Sequence, residues 1–402
     1  LKSKLKSEFI IVISGLFNLS NLKTNMIATI LKEIQENEPR VAATPSTVKE
    51  LTKAGLTVQL ESGAGDRSFF NDKSYKKAGA KIIPSSSNML TGSDIVLKVL
   101  PPTQEEISQL KSGSVFISLF QTTRETTAVK ALTEKSITGF SMHLIPRTTL
   151  AQKMDALSSQ ANIAGYKAVL IAAARLGVYM PLLMTAAGTI RPARVLVLGA
   201  GVAGLQAIAT AKRLGAQVES FDVRPVVKEQ VESLGAKFIE VESGQDEGVG
   251  EGGYAKETSD DYKKKQQALV KERISQADMV ITTALIPGRP APILIPKDMV
   301  DGMKPGSVIM DLASENGGNC ELTKKDNIIE YKQVIIDGTS NLPGTMPVHA
   351  SELYAKNMSA FLTYMIQDGE LVLNLEDEII SGALFTHKGK ITHEPTREAI
   401  NT

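Results

Sequence analysis

Cysteine is almost absent from this sequence, because Cys320 is the only one among 402 residues. A single thiol excludes an internal disulfide framework and any zinc or iron–sulfur site made of clustered cysteines, and it is typical of a reducing compartment. The 4 histidines show neither the H-x-x-x-H nor the H-E-x-x-H spacing of zinc enzymes. We therefore predict no metal site.

An excess of charge of either sign is also lacking, since 45 Lys and Arg residues offset 44 Asp and Glu residues and leave a net charge of +1. Such a chain has no overall field that would attract nucleic acid or an acidic membrane surface. Long apolar runs are missing too. The longest one near the start, residues 9–17, has about half of the ~20 residues that a membrane span needs, and no signal-peptide exit follows it.

The first 25 residues differ in composition from the rest of the chain. The sequence begins at Leu1 rather than at methionine, so we expect a piece of a longer polypeptide or a processed product. Residues 1–25 carry Ser, Asn and Lys around one short apolar run. We predict a linker or tail here, with a strand or helix added to a neighbouring domain as the alternative.

The remaining sequence alternates short β-branched runs with segments of helical spacing, and its 42% hydrophobic and 22% charged residues are average for a globular protein. Alternating strands and helices predict parallel sheets covered by helices on both faces. We therefore predict an α/β fold class with two Rossmann-like doubly wound domains, joined by long helices, and a deep ligand-binding cleft between them. The first domain is predicted to be discontinuous, residues 26–157 plus 346–402, and the second to span residues 158–345.

A glycine-rich turn opens the second series of strands. Gly199-Ala-Gly201-Val-Ala-Gly204 matches G-x-G-x-x-G, follows four apolar residues and precedes a helix of small residues. In a dinucleotide site Gly199 makes the tight turn, Gly201 lets the backbone approach the pyrophosphate, and Gly204 lets the helix pack on the strand. The helix N-terminus attracts the anion. The motif therefore predicts a dinucleotide site.

Asp222 ends the next predicted strand, within a few residues of the spacing that a dinucleotide site needs. Its carboxylate is expected to accept hydrogen bonds from the adenosine ribose and to repel a 2′-phosphate, which favours NAD(H) over NADP(H). Arg224, two residues later, leaves the other cofactor open, because an arginine can hold that phosphate.

Two further features have two interpretations each. The segment 242–254 is rich in glycine and acidic residues, which indicates either a solvated insertion or a mobile lid over the site. Lys98 stands inside an apolar predicted strand, so its ammonium either snorkels to water or points into the cleft.

Several stretches together resemble the alanine dehydrogenase and proton-translocating transhydrogenase superfamily. Four of them are shared across that superfamily: Arg40-Val-Ala-Ala-Thr-Pro45, Glu61-Ser-Gly-Ala-Gly65, Asp94-Ile-Val-Leu-Lys-Val99 and the turn at Gly199. Three are similar to the NAD(H)-binding domain of the transhydrogenases: residues 146–162 to its Arg–Gln–Asp loop, Gly252-Gly-Tyr-Ala-Lys-Glu257 to its mobile loop, and residues 375–384 to its C-terminal signature. The resemblance covers about residues 27–395.

The resemblance implies an enzyme that transfers hydride directly between NADH and NADP⁺, with the NADP(H) held on a separate domain and the redox step coupled to proton translocation elsewhere. This chain would bind NAD(H) and form a homodimer. Its other partners would be the NADP(H)-binding domain and the membrane domain of the same enzyme, with no nucleic acid. The piece itself would be soluble, and it would be membrane-associated through the parent protein.

The resemblance also assigns site residues. A catalytic set would surround the nicotinamide: Arg147, Gln152, Asp155 and Ser158. Other parts of NAD(H) would contact Val202, Asp222, Val223, Arg224, Gly253, Gln266 and Leu285, with Tyr254 on the closing loop. Direct hydride transfer needs orientation and exclusion of water, not an acid or base. We expect an Arg147–Asp155 pair beside Gln152 to hold the carboxamide and to set the ring face.

Some residues depart from the alanine dehydrogenase branch. Its histidine after the strand is missing from residues 116–121, and its D-Q-G-G stretch reads Glu315-Asn-Gly-Gly318. Lys98 and Arg40, which grip the substrate acid in those enzymes, are retained. Thr258 stands where the transhydrogenase mobile loop favours methionine. The alternatives are therefore an alanine dehydrogenase-like NAD-dependent oxidoreductase and a non-catalytic NAD-sensing module.

Overall fold

The computed structural model describes residues 26–84, 87–240, 260–286 and 289–401. Its helices are α1 (Pro45–Lys53), α2 (Asp72–Ala78), α3 (Ser87–Thr91), α4 (Gln104–Gln109), α5 (Thr126–Glu134), α6 (Ala156–Arg175), α7 (Val202–Arg213), α8 (Lys228–Ser233), α9 (Asp260–Gln276), α10 (Lys297–Val300), α11 (Pro347–Tyr364), α12 (Glu378–Ala383) and α13 (Glu394–Asn401). None of the helices in these ranges combines the length and the apolar character that a membrane span requires.

The strands of the same ranges form two large sheets and two short hairpins. They are β1 (Ile27–Ile30), β2 (Thr57–Glu61), β3 (Lys81–Ile83), β4 (Ile95–Leu97), β5 (Val115–Ser118), β6 (Thr138–Ser141), β7 (Leu183–Thr185), β8 (Gly188–Ile190), β9 (Arg194–Leu198), β10 (Gln217–Phe221), β11 (Lys237–Phe238), β12 (Met279–Thr282), β13 (Val308–Asp311), β14 (Ile328–Tyr331), β15 (Val334–Asp337), β16 (Ile366–Gln367), β17 (Glu370–Leu371), β18 (Leu384–His387) and β19 (Lys390–Ile391).

The first sheet has the strand order β19-β18-β6-β5-β4-β1-β2-β3. Strands β1 to β6 pair in parallel, while β18 runs antiparallel to β6. All residues of β4 and β5 are buried, as expected for central parallel strands that helices cover on both faces. The C-terminal strands β18 and β19 thus complete the sheet that the N-terminal strands begin.

The second sheet has the order β11-β10-β9-β12-β13-β15-β14, and only β14 is antiparallel to its neighbour. Strands β10 and β11 follow β9 on one side of it, and the chain then returns to the other side of β9, where β12 pairs with it. Ligands of doubly wound sheets bind where the strand order reverses in this way, at the carboxyl ends of the strands. The predicted α/β class with two Rossmann-like, mainly parallel sheets is confirmed.

Strand β9 illustrates why its sequence forms a central strand. Its side chains alternate between two hydrophobic clusters: Val195 and Val197 belong to one, and Leu196 and Leu198 belong to the other. A strand with apolar residues on both faces needs helices on both sides of the sheet. The four consecutive apolar residues before the glycine turn therefore place that turn at the centre of the sheet.

Helix α6 packs closely against α7, the helix that follows the glycine turn. A Cβ built at Gly165 of α6 would lie 2.0 Å from the carbonyl oxygen of Ala203 in α7, so only glycine permits this approach. Helix α11 contacts α6 through Gln160, whose side-chain amide donates to the carbonyl of Ala350 at 3.1 Å. The predicted division into domains at residues 157/158 and 345/346 stays a prediction.

Candidate functional site

The glycine turn between β9 and α7 has the geometry that its sequence predicts. Gly199 has a φ of 103°, and a Cβ there would lie 2.5 Å from Oγ1 of Thr283. A Cβ at Gly204 would lie 1.9 Å from the carbonyl oxygen of Gly199. Both positions therefore require glycine. Gly199 needs it for its positive φ and for the close approach of Thr283, and Gly204 needs it for the close approach of the helix to the turn.

Gly201 differs from its two neighbours in the motif. A Cβ built there meets no atom within 4 Å, so packing within the protein does not require glycine at this position. Gly201 is also the N-cap of α7, and no side chain caps this end of the helix. The N–H groups of the first helical turn are therefore open to an anion. The space beside Gly201 fits the close approach of a ligand.

Asp222 lies directly after β10 and joins that strand end to the glycine turn. Its Oδ2 accepts from the backbone N–H of Ala200 at 2.7 Å. Arg224 donates to both carboxylate oxygens, from its backbone N at 2.8 Å and from Nε and a terminal nitrogen at 3.0 Å each. These four bonds fill the ordinary acceptor capacity of a carboxylate. Ribose hydroxyls that bind Asp222 therefore have to replace side-chain bonds from Arg224.

A second region of the site is a cavity of about 410 Å³ beside the loop before α6. It is lined by Pro146, Arg147, Thr148, Thr149, Ala151, Gln152, Asp155, Ser158 and Ser159. The structure thus brings the four residues of the predicted catalytic set around one space. Arg147 and Gln152 are exposed, while Asp155 and Ser158 are half-buried.

Asp155 has a local role that differs from the expected one. It is the N-cap of α6, and its carboxylate accepts from the backbone N of Ser158 at 2.8 Å and from the hydroxyl of Ser158 at 2.6 Å. Among the ion pairs of the described residues, none joins Asp155 to Arg147. The expected Arg147–Asp155 pair is therefore not formed in this structure, where Asp155 caps the helix, and its role beside a bound nicotinamide stays a prediction.

The two regions of the site stand at the N-terminal ends of neighbouring helices. Helix α6 begins at Ala156 beside the cavity and meets the start of α7 at Gly165. At a rise of 1.5 Å per residue, these residues are separated by roughly 14 Å along the helix axis. An extended two-nucleotide ligand can therefore lie on the glycine turn and reach toward the cavity.

The other predicted cofactor contacts are divided among several segments. Val202, Val223 and Leu285 have 41%, 42% and 51% of their surface exposed around the glycine turn, while Gln266 is half-buried on α9. Exposed apolar side chains at the mouth of a cleft provide a surface that a ligand can cover. Gly253 and Tyr254, with the rest of segment 242–254 and Thr258, lie outside the described residues.

Sequence reasoning missed two polar residues near the glycine turn. The hydroxyl of Thr283 donates to the carbonyl of Gly199 at 3.1 Å, and the side chain of Asn319 bonds both backbone groups of Ala284. The position of Thr283, immediately after the predicted strand at 279–282, is a signal that could have identified it.

Arg40, which lies between β1 and α1 in the sequence, is buried with its charge already paired. Glu38 accepts from Nε at 2.7 Å and from a terminal nitrogen at 2.5 Å, while the other terminal nitrogen donates to Gln160 Oε1 at 2.8 Å. Only 7% of the Arg40 side chain is exposed. A bidentate carboxylate in this position leaves no open face for a second anion.

Lys98 is buried in the same way, which corrects both interpretations of its position. Its Nζ donates to the two carboxylate oxygens of Glu106 at 2.8 and 2.9 Å, and it lies 3.7 Å from Oε2 of Glu33. Burial raises the pKa of Glu33 to about 7, although Lys98 and the backbone N–H groups of Val99 and Leu100 oppose this shift. The ammonium is thus held by internal carboxylates.

Two family models match the chain, one for each half. The description "Alanine dehydrogenase/PNT, N-terminal domain" matches residues 29–164, and "Alanine dehydrogenase/PNT, C-terminal domain" matches residues 168–394. Together they cover both sheets and both regions of the site.

Three similar proteins carry informative names. A Rhodospirillum rubrum protein, named as the first of the pieces that make up NAD(P) transhydrogenase subunit alpha, is 46% identical over 379 residues, which are 92% of this chain and 98% of that protein. The crystal structure of transhydrogenase from Sinorhizobium meliloti has 47% identity and a TM-score of 0.83, over 91% of this chain and 99% of that one. An L-alanine dehydrogenase structure has 26% identity and a TM-score of 0.78, over 94% of this chain and 99% of that one.

Proposed function

The chain belongs to the alanine dehydrogenase/PNT family, and from this premise we propose that it is the NAD(H)-binding component of a proton-translocating NAD(P) transhydrogenase. Its proposed reaction is direct hydride transfer between NADH and NADP⁺ held on a separate domain. The observation that carries the proposal is that the glycine turn with Asp222 and the cavity beside Arg147 lie at the starts of two helices that pack on each other. The identity of 46% to nearly the full length of a piece of a transhydrogenase alpha subunit supports it.

The residues at the glycine turn fit a dinucleotide. The open space at Gly201 and the uncapped N-terminus of α7 suit a pyrophosphate, because N–H groups and the helix dipole favour an anion there. When it is bound, the nicotinamide of NADH supplies the hydride. The work of this chain is then to hold the two halves of that molecule in position.

The proposed preference for NAD(H) rests on Asp222. Its carboxylate can accept from ribose hydroxyls, whereas a 2′-phosphate offers no hydroxyl there and adds negative charge. Arg224 is bonded to Asp222, which reduces its capacity to hold a phosphate. Titration of NADH and NADPH by fluorescence tests this preference, and tighter binding of NADPH would remove the argument from Asp222.

The proposed role of the Arg147 loop is orientation. Exposed Arg147 and Gln152 can donate to a carboxamide, while Asp155 fixes the hydroxyl of Ser158 at 2.6 Å. No proton moves at the reacting carbons when hydride passes between two nicotinamides, so these residues need not act as acid or base. Positioning and exclusion of water supply the rate.

The proposed partners are a second copy of the chain, the NADP(H)-binding domain and the membrane domain of the same enzyme. The β7–β8 hairpin supports the homodimer, because several of its apolar side chains are exposed, among them Met184 at 72%. Such a surface is typical of an interface between subunits. We also propose the domain division 26–157 plus 346–402 and 158–345. Analytical ultracentrifugation of the chain tests the dimer.

The alanine dehydrogenase-like alternative is supported by the structural similarity to L-alanine dehydrogenase and by the retention of Arg40 and Lys98. The contacts of both residues argue against it, since Glu38 and Glu106 already pair with them. An amino or oxo acid would have to displace these buried carboxylates. Incubation with NAD⁺ and L-alanine, followed at the NADH absorbance, should give no turnover, and robust turnover would favour the alternative.

One experiment separates the transhydrogenase from an NAD-sensing module. The chain is mixed with a purified NADP(H)-binding domain, and hydride exchange from NADH to NADP⁺ is followed. We expect exchange that requires both proteins. Tight NADH binding without exchange would favour the sensor, and absence of NADH binding would contradict both.

A further inference from the structure

A buried asparagine holds the turn that follows β12. We propose that Asn319 is a positioning residue: it fixes Ala284 and the adjoining Leu285 against the nicotinamide-side half of the bound dinucleotide. This inference rests on the proposed function, because it assumes that a nicotinamide dinucleotide lies on the glycine turn.

Both the oxygen and the nitrogen of the Asn319 amide take part in this clamp. Its Oδ1 accepts from the backbone N of Ala284 at 3.0 Å, and its Nδ2 donates to the carbonyls of Ala284 at 2.9 Å and Pro292 at 2.8 Å. The residue is completely buried. A side chain that bonds both backbone groups of one residue fixes the orientation of that peptide segment, since a rotation would leave buried polar groups unpaired.

Asn319 is itself fixed by Asp311, the last residue of β13. The buried carboxylate of Asp311 accepts from the backbone N of Asn319 at 2.7 Å and of Cys320 at 3.0 Å. The hydroxyls of Thr282 and Thr323 donate to it at 2.9 and 2.6 Å. Charge-assisted bonds of this kind are the stronger class of hydrogen bond. The clamp is therefore anchored to the sheet itself.

Two glycines permit the chain to wrap around Asp311. Gly317 and Gly318 have φ values of 100° and 88°, and a Cβ at Gly318 would lie 2.8 Å from Asp311 Oδ2. Glycine is required for both the backbone conformation and the contact. The Glu315-Asn-Gly-Gly318 stretch thus has a structural task, which is to bring Asn319 back over the end of β13.

The clamped turn stands on the side of the site opposite Asp222. In the sheet, β12 is the neighbour of β9 on one side and β10 is its neighbour on the other. A dinucleotide that crosses the carboxyl ends with its adenosine ribose at Asp222 has its second half over the turn after β12. Leu285 in this turn is 51% exposed, so it can contact that half.

The test uses Asn319→Asp, which keeps the size of the side chain but loses both donated bonds to backbone carbonyls when ionised and one of them when protonated. Affinities for NADH and for 5′-AMP are measured by titration, and hydride exchange is measured with the NADP(H)-binding domain. We expect the Kd for NADH to rise about tenfold and exchange to slow, while the Kd for 5′-AMP stays within about twofold. A clamp with a purely structural role would weaken both ligands equally or neither.

Two further variants keep the test decisive. Leu285→Ala removes the side chain that the clamp presents without disturbing the core, and it should weaken NADH but not 5′-AMP. Thr339→Val is the control for lost stability. It removes the 2.6 Å bond from the Thr339 hydroxyl to the buried carboxylate of Asp337, the last residue of the neighbouring strand β15, and it should change neither affinity.

The outcomes separate this inference from the proposed function. An Asn319→Asp protein that matches the wild type in NADH binding and exchange would overturn the positioning role, as would an unchanged NADH affinity in Leu285→Ala. A wild-type chain that binds no NADH would instead contradict the proposed function.

Discussion

Substitution of Gly201 by alanine separates binding from folding. A built Cβ meets no protein atom within 4 Å, and the backbone angles of φ −77° and ψ −170° are ones that alanine adopts. Replacing glycine restricts the unfolded chain, which stabilises the fold by about 0.4–1 kcal/mol, but alanine is a poorer N-cap of α7 than glycine by a similar amount. We therefore expect Gly201→Ala to melt within a few degrees of the wild type.

The affinity for NADH, in contrast, should fall. The added methyl group occupies the space where a pyrophosphate approaches the first turn of α7. Displacement of the pyrophosphate lengthens or breaks its hydrogen bonds from backbone N–H groups, and each such bond to a charged oxygen contributes about 1.5–3 kcal/mol. Loss of one such bond raises the Kd for NADH roughly 10- to 150-fold.

The assay is a fluorescence titration of NADH together with a thermal melt of each variant. Gly92→Ala is the matched control, because Gly92 also has no atom within 4 Å of a built Cβ and lies outside the left-handed region. It should leave the affinity for NADH unchanged and shift the stability by no more than about 1 kcal/mol. Gly204→Ala should destabilise the protein, since its Cβ would lie 1.9 Å from a carbonyl oxygen. Unchanged NADH affinity in a stably folded Gly201→Ala protein would refute the assignment of this turn to the pyrophosphate.

Three other substitutions test the rest of the site and the buried charges. Asp222→Ala should weaken NADH by at most about 1.5–3 kcal/mol, the value of a bond to a charged acceptor, because the ribose hydroxyls replace bonds from Arg224. Glu219→Gln, on the strand that precedes Asp222, should have no effect in the same titration, and equal losses would exclude a specific role for Asp222. Arg147→Ala should lower the rate of hydride exchange more than the affinity for NADH, and proportional losses in stopped-flow and binding data would contradict a role in orientation. Glu33→Gln should be more stable than the wild type by an amount that grows as pH rises from about 4.5 to 7 and reaches about 3 kcal/mol above pH 7. The reason is that burial raises the pKa of Glu33, so the wild type loses stability over this interval while the glutamine variant does not. A difference in melting temperature that is the same at pH 5 and pH 8 would show that Glu33 is not the titrating group.

The features that the sequence predicted are mostly local. The glycine turn, its preceding strand and its following helix occupy residues 194–213, and each needs only neighbours in sequence to be recognised. The strand–helix alternation predicted both sheets because burial on two faces leaves continuous apolar runs in central strands. The β7–β8 hairpin was not foreseen, since its exposed apolar residues do not show the period of a buried strand.

Contacts between distant residues escaped prediction. Asn319 and Ala284 are 35 residues apart, and nothing in the local sequence around either one indicates the clamp. The absence of an Arg147–Asp155 ion pair in this structure has a different cause. The sequence Asp155-Ala-Leu-Ser158 carries an N-cap residue before a long helical segment, and this signal should have assigned the carboxylate to the helix end.

The buried cations Arg40 and Lys98 help to decide which of the reactions of its family this chain suits. A substrate acid can be held by a buried cation only if that cation has an unpaired face, because displacing a desolvated carboxylate partner costs several kcal/mol. Glu38 covers the guanidinium of Arg40, and Glu106 covers the ammonium of Lys98. An anionic substrate therefore gains little from either residue, although both are retained in the sequence. Among the described residues, the ligand-binding groups that remain open lie at the glycine turn and around Arg147, which suits the proposed transfer between two nicotinamides better than chemistry on a bound acid.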